Sequence, residues 1–266
     1  MNNVKLAAIA SVFSFATLSA SVFAANNDAD VRQTGNANRG SVYQVGSNND
    51  QDTRQAGDFN SSRSGQIGYS NRQYTSQQGS YNASSSNQNG SNNTAMVSQT
   101  GDRNVSTQEQ RGYNNSMSTA QRGEGNRSTT LQHGTGNDIR SYQSGNGNDS
   151  YVRQTGSSNG VTMVQQGDRN VSTIAQEGSN HEADLRQSGN NNRNYVSQTG
   201  YSNDALTIQN GNFNSSVMLQ GGMNNDALAS QAGNMNNSII CQYGSNDAAT
   251  VAQMGNHNSA DVYQSN

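Results

Sequence analysis

The sequence predicts an all-β fold, a β-solenoid of about eleven two-strand coils built from 22 eleven-residue units, with two facing parallel sheets and cross-β stacking. Three observations predict it. Gln recurs at every eleventh position, 22 times in succession without a slip. Side-chain character alternates with period two ahead of each Gln, which is the signature of a strand. A Gly stands two residues after every one of these Gln residues except the last. Composition excludes an oily globular core, because only 29% of the 266 residues are hydrophobic and Trp is absent. It also fits poorly with disorder, since charged residues make up 12%, the net charge is −3 and Pro is absent. Asn, Gln, Ser and Gly fill the difference, the composition of chains that order through side-chain amide ladders. The near-balanced charge points to no nucleic-acid partner.

In chain order, residues 1–24 read as a secretory signal. Lys5 follows a polar start, an apolar run extends from Leu6 to about Ala20, and Val22, Phe23 and Ala24 form a small-residue cleavage site, with the cut expected after Ala24. The run is too short for a membrane span and no second apolar segment follows, so no membrane span is expected. Residues 25–266 form the repeat domain. Within a unit, the residues two before Gln are branched and apolar at Val31, Val42, Val97, Val152, Ile174, Leu185, Val196, Ile240, Val251 and Val262. Four before Gln stand Ala29, Ala95, Ala183, Ala205, Ala227, Ala249 and Ala260. These share a thin core with Gln and Asn. The opposite phase carries Arg32, Arg54, Arg153 and Arg186 beside Tyr43, Tyr142 and Tyr263, and is expected to face water or neighbouring fibrils. Between strands, Gly and a tripeptide rich in Asn, Asp or Ser supply residues that accept positive φ, as in Gly101 to Asn104 and Gly211 to Asn214.

A buried primary amide is costly unless both its donors and its acceptor are used. Identical amides one coil apart meet that need. The candidate ladder is carried by Gln33, Gln44, Gln55, Gln198, Gln209, Gln220, Gln231, Gln242, Gln253 and Gln264. Five residues after Gln, a second ladder runs through Asn38, Asn49, Asn60, Asn203, Asn214, Asn225, Asn236 and Asn258. His181 and Asp247 interrupt it, each with an Asn one place earlier. Each neutral bond contributes about 1 kcal/mol net, but repetition fixes the register. The first strand begins almost directly after the presumed cut and the last unit stops at Asn266 without a capping helix, so both ends are expected to template a further copy.

Other chemistry-bearing residues have bland readings. Asp102, Asp168 and Glu124 lie in turns without a recurring ligand spacing; they read as solvated charges, with a gatekeeping role against premature stacking as the sharper alternative. His133, His181 and His257 share no common partner. Cys241, alone, stands on the outward phase and reads as a surface thiol, with an intermolecular disulfide between fibrils as the sharper alternative. No catalytic residue, cofactor or metal is expected.

The spacing Gln44, Asn49, Gln55 resembles the curlin repeat, and the resemblance covers essentially everything after residue 24. It implies a left-handed coil, a subunit of extracellular curli fibres of biofilm matrices, self-polymerisation, Sec export through a dedicated outer-membrane pore, a periplasmic chaperone and a minor nucleator subunit. The major-subunit role is expected over the nucleator role, because the array ends regularly; the Gly-rich export segment of the familiar major subunit has no counterpart, and the array is longer. Outside this class, a non-polymerising solenoid such as an ice binder would need a regular outward Thr face, and the outward positions are too mixed. Calcium-loaded solenoids would show Gly-Gly-x-Gly-x-Asp, which does not occur. Core positions Gly40, Gln51, Ser62, Ser64, Gln73, Ser84 and Ser86 are more polar than Met218, Ala227, Ala229 and Ile240, so the C-terminal half is expected to be the stronger amyloid former.

Overall fold

The alternation in each unit leaves the backbone one conformational choice, an extended strand with one wet and one dry face, and the Gly-led tetrapeptide reverses its direction. A computed structural model describes residues 3–6, 17–23 and 26–265, and they form strands and turns with no helix. The chain divides into two compact units, Met1–Thr135 and Gly136–Asn266.

In the first unit, one parallel sheet is built from Asn3–Leu6, Asp28–Thr34, Asp50–Ala56, Arg72–Gln78, Thr94–Asp102 and Ser116–Glu124. The other is built from Thr17–Phe23, Arg39–Ser47, Ser61–Tyr69, Ala83–Ser91, Val105–Tyr113 and Arg127–Thr135. Successive strands of a sheet pair 22 residues apart, as in Gln33 with Gln55 and Gln44 with Gln66. The ten units of this part thus make five coils. Ahead of them, Thr17–Phe23 keeps the 22-residue offset to Arg39–Val45, whereas Asn3 pairs with Asp28 at an offset of 25. The expected leader at 1–24 falls partly outside the described residues, at 1–2, 7–16 and 24.

The second unit repeats the plan in six coils. Its first sheet holds Asp138–Ser144, Gly160–Gln166, Glu182–Ser188, Asp204–Asn210, Asp226–Ala232 and Ala248–Met254. Its second sheet holds Asp149–Ser157, Val171–Ser179, Arg193–Tyr201, Ser215–Met223, Asn237–Ser245 and Ser259–Ser265. Each unit is therefore the predicted β-solenoid, and the two hold eleven coils of repeat sequence between them.

Inward positions are buried in strict alternation, as in Glu182–Ser188, where Ala183, Leu185 and Gln187 are buried and their neighbours are not. The expected core residues occupy these positions, except that Ala260, Val262 and Gln264 in the last strand are only half-buried. Among the described residues, six buried apolar side chains lie in the first unit and sixteen in the second, so the polar-core contrast read from the sequence is a property of the packing. Cys241 departs from expectation: although on the outward phase, it is 7% exposed, because its register neighbours Leu219 and Tyr263 flank it on either side.

The corners come in two kinds, a 22-residue alternation inside the eleven-residue repeat. Both begin with Gly at positive φ and place a second left-handed residue two positions later. At the corners that follow second-sheet strands, that residue is Asn, Ser or Gly, such as Asn48, Ser158 and Gly136, as turn chemistry prefers. At the corners that follow first-sheet strands, it is often large: Phe59, Tyr81, Arg103, Arg169, Phe213, Met235 and His257 all adopt φ between 56° and 60°. Phe59 and Tyr81, one coil apart, stack with ring centroids 4.9 Å apart, and stacking of this kind helps offset the cost of the left-handed backbone. The Gly itself is obligatory at a site such as Gly156, with φ 120° and a position where a Cβ would lie 1.9 Å from the carbonyl oxygen of Gly178.

Candidate functional site

The candidate site is the pair of amide ladders. Each ladder Gln ends the inward row of its strand, so its amide points along the axis at its counterpart one coil on. In the first unit Gln33 donates to Gln55 at 2.6 Å, Gln55 to Gln77 at 2.7 Å and Gln44 to Gln66 at 2.8 Å. In the second unit Gln198 donates to Gln220 at 2.9 Å, and Gln220 to Gln242 and Gln242 to Gln264 at 3.0 Å. On the other sheet Gln209 donates to Gln231 and Gln231 to Gln253, both at 2.9 Å. The second Nε2 hydrogen reaches across the coil to a strand-entry carbonyl sixteen residues earlier, such as Asp50 O from Gln66 at 3.0 Å and Arg193 O from Gln209 at 3.0 Å. A Gln that makes both bonds therefore links coil to coil and sheet to sheet.

The Asn ladder sits in the corners and runs the other way. Asn60 donates through Nδ2 to Asn38 Oδ1 at 3.2 Å, and Asn49 to Asn27 likewise at 3.2 Å. The same Oδ1 accepts the backbone N–H of the next coil, as when Asn225 donates to Asn203 and Asn236 to Asn214, both at 3.0 Å. Asn258 closes the series on Asn236 at 3.0 Å. Nδ2 also donates to the corner Gly carbonyl nineteen residues ahead, for example Asn214 to Gly233 at 2.9 Å. The Gln ladder thus donates toward later coils and the Asn ladder toward earlier ones.

His181 occupies a ladder position itself, rather than leaving it to Asn180, which takes the left-handed corner. The ring is 1% exposed. Its Nδ1 accepts the backbone N–H of Asn203 at 3.2 Å, which places the ring proton on Nε2, 3.2 Å from Glu177 O. Burial pushes its pKa below the ordinary 6.5. Asp247, the other exception, keeps its backbone bond to Asn225 Oδ1 at 3.1 Å.

A third stack escaped the sequence reading. At most of the corners that follow first-sheet strands, an Asn or Asp three after Gln accepts a backbone N–H from the preceding coil. Asp168 Oδ1 accepts from Asn146 at 2.8 Å, Asn190 from Asp168 at 2.8 Å, Asn212 from Asn190 at 2.9 Å and Asn234 from Asn212 at 3.0 Å. Asp58 and Asp102 do the same in the first unit, each at 2.8 Å. Asp102 and Asp168 are therefore corner acceptors rather than merely solvated charges. The signal was an Asn or Asp after every second Gly, with Ser80 and Glu124 as the exceptions, hidden by reading the repeat at eleven residues instead of 22.

On the outer face of the first sheet, Glu182, Asp204 and Asp226 stand in register. Burial and the neighbouring carboxylates, Glu182 first, raise the pKa of Asp204. Among the described residues no group of three or more His, Cys, Asp or Glu side chains is arranged to hold a metal ion. What the arrangement can do chemically is extend itself, since each coil offers the next the same donors and acceptors in the same places.

The curlin associated repeat model matches residues 24–52, 90–118, 156–189, 167–200 and 200–233, together about half of the chain. No curated protein gives a match.

Proposed function

The chain belongs to the curlin family, whose members are structural subunits of extracellular curli-type amyloid fibres, and from that premise we propose that it is the principal fibre subunit, exported through its leader and added end to end to a growing fibre. The observation that carries this reading is the pair of in-register ladders, Gln on Gln and Asn on Asn every 22 residues, because a face that satisfies its own successor also satisfies the matching face of another copy. Growth of this kind is heterologous and does not close, so it yields filaments rather than rings or dimers. Matrix building and surface attachment follow from filaments held outside the cell. A nucleator, an outer-membrane pore and a chaperone are the partners this role needs.

Incubating the purified chain 25–266 at neutral pH, with thioflavin fluorescence followed by fibre diffraction, tests the reading. Fibres with a meridional spacing of about 4.8 Å are expected. A soluble β-rich monomer that persists at high concentration would sink the fibre reading and favour a non-polymerising solenoid.

A further inference from the structure

The outer faces of the solenoid are not alike. On the second sheet of the second unit, the strands Arg193–Tyr201, Ser215–Met223 and Asn237–Ser245 carry one charged residue, Arg193, at the very start. Their outward positions bring together Tyr195, Val217, Leu219, Ile239, Cys241 and Tyr243. Gly221 leaves room for the Tyr243 ring, whose Cδ1 lies 3.0 Å from where a Cβ on Gly221 would stand. Charged residues bound the patch, Asp261 in register with Ile239 and Glu177 with Thr199, and the other outward faces carry more charge, even where Leu206, Ile208 and Leu228 lie beside the carboxylates of the first sheet. The second sheet of the first unit carries Arg39, Arg63, Glu109, Arg111 and Arg127, and the first sheet of the second unit carries Glu182, Asp184, Asp204 and Asp226.

We propose that this face is a lateral contact surface that packs against the same face of a second copy, and that it acts between fibres rather than between monomers. The inference rests on the fibre reading above. A flat pleated surface is complemented by another flat sheet about 10 Å away. Against the arginine-bearing or carboxylate-bearing faces, the apolar patch would strip water from charges and offer them no partner. Its own counterpart is the face that carries the least such cost, since its charges stand at the border. Its size sets the stage at which it acts. Three strands about 4.8 Å apart and about 17 Å of strand length give a patch of roughly 250 Å², well below the roughly 800 Å² per partner of a stable protein pair. Two monomers therefore do not hold together by it. A fibre presents the patch once per subunit, so contacts add along its length and bundling follows elongation.

The test compares wild-type chain with the triple variant V217T/L219T/I239T, which keeps strand-forming residues and touches no inward position, and with I67T on the other unit as a control. Sedimentation of fresh protein, thioflavin kinetics and electron microscopy are read on each. The expected result is monomeric protein in all three, equal elongation rates, bundles for wild type and I67T, and loss of bundles to single filaments for the triple variant. Triple-variant fibres that bundle as wild type does would overturn the inference while leaving the fibre reading intact. Wild-type fibres that stay single and coat phosphatidylethanolamine vesicles would overturn it in favour of a lipid partner. If no chain forms fibres at all, the fibre reading fails and this inference fails with it.

Discussion

Gln88 makes three bonds with one amide: it donates to Gln110 Oε1 at 2.8 Å and to Arg72 O at 3.0 Å, and accepts from Gln66 at 2.9 Å. Replacing it with Ala leaves the buried Gln110 Oε1 without its donor and the buried Gln66 amide without its acceptor, so Q88A should lower stability by about 3 kcal/mol, against less than about 0.5 kcal/mol for the exposed neighbour in N87A; urea unfolding of freshly dissolved protein measures both. His181 gives a pH signature. Its folded pKa lies below the ordinary 6.5, so the unfolded chain takes up more protons as pH falls through that value, and the stability that the neutral ring confers at neutral pH is progressively lost below it. H181N should restore an ordinary ladder residue and flatten the stability curve between neutral and mildly acidic pH; a variant that loses stability in parallel with wild type would contradict this. The ladder positions were legible because a repeat that stacks on itself turns sequence spacing directly into contact. The direction in which each amide donates was not, since Gln and Asn carry the same groups and only the turn geometry separates their roles.

At the scale of strand and corner, the alternation of buried and exposed positions followed the sequence nearly everywhere, because a period-two pattern has only two ways to face. Cys241 did not follow it. What covers a residue on the outer face is the side chain 22 positions away, here Leu219 and Tyr263, and the pattern within one strand carries no information about that. The large left-handed residues at alternate corners were missed for a related reason: Phe213 at φ 58° contradicts local turn preference. Corner Gly positions allow a sharp expectation. G156A places a methyl group against the backbone of Gly178 on a backbone that resists side chains, so it should cost more than about 2 kcal/mol and reduce the yield of folded protein; near-wild-type unfolding would show that the corner can shift. The column of Glu182, Asp204 and Asp226 adds an effect opposite in sign to His181. Because the pKa of Asp204 is raised in the fold, protonation there adds stability as pH falls toward the carboxylate range, and D204N should increase stability at neutral pH while removing that gain. Unfolding midpoints of D204N and wild type across pH separate this contribution from that of the histidine.

Across the whole chain the two units differ in what fills them. Sixteen buried apolar side chains lie in the second and six in the first, and in the first the buried Oε1 atoms of Gln51 and Gln73 have no hydrogen-bond donor among the described residues. Chains 25–135 and 136–266, followed by thioflavin fluorescence under one condition, should show the shorter lag for 136–266; a faster 25–135 would mean that polar ladders, not apolar filling, govern nucleation. Finally, the opposed donation of the two ladders gives every coil a front and a back. Turned end for end, a copy would bring Gln amide hydrogens against Gln amide hydrogens and Asn oxygens against Asn oxygens, so the mismatch is refused at the first coil. A filament assembled under that rule is a one-way object: its two tips are chemically different, and they should grow at different rates.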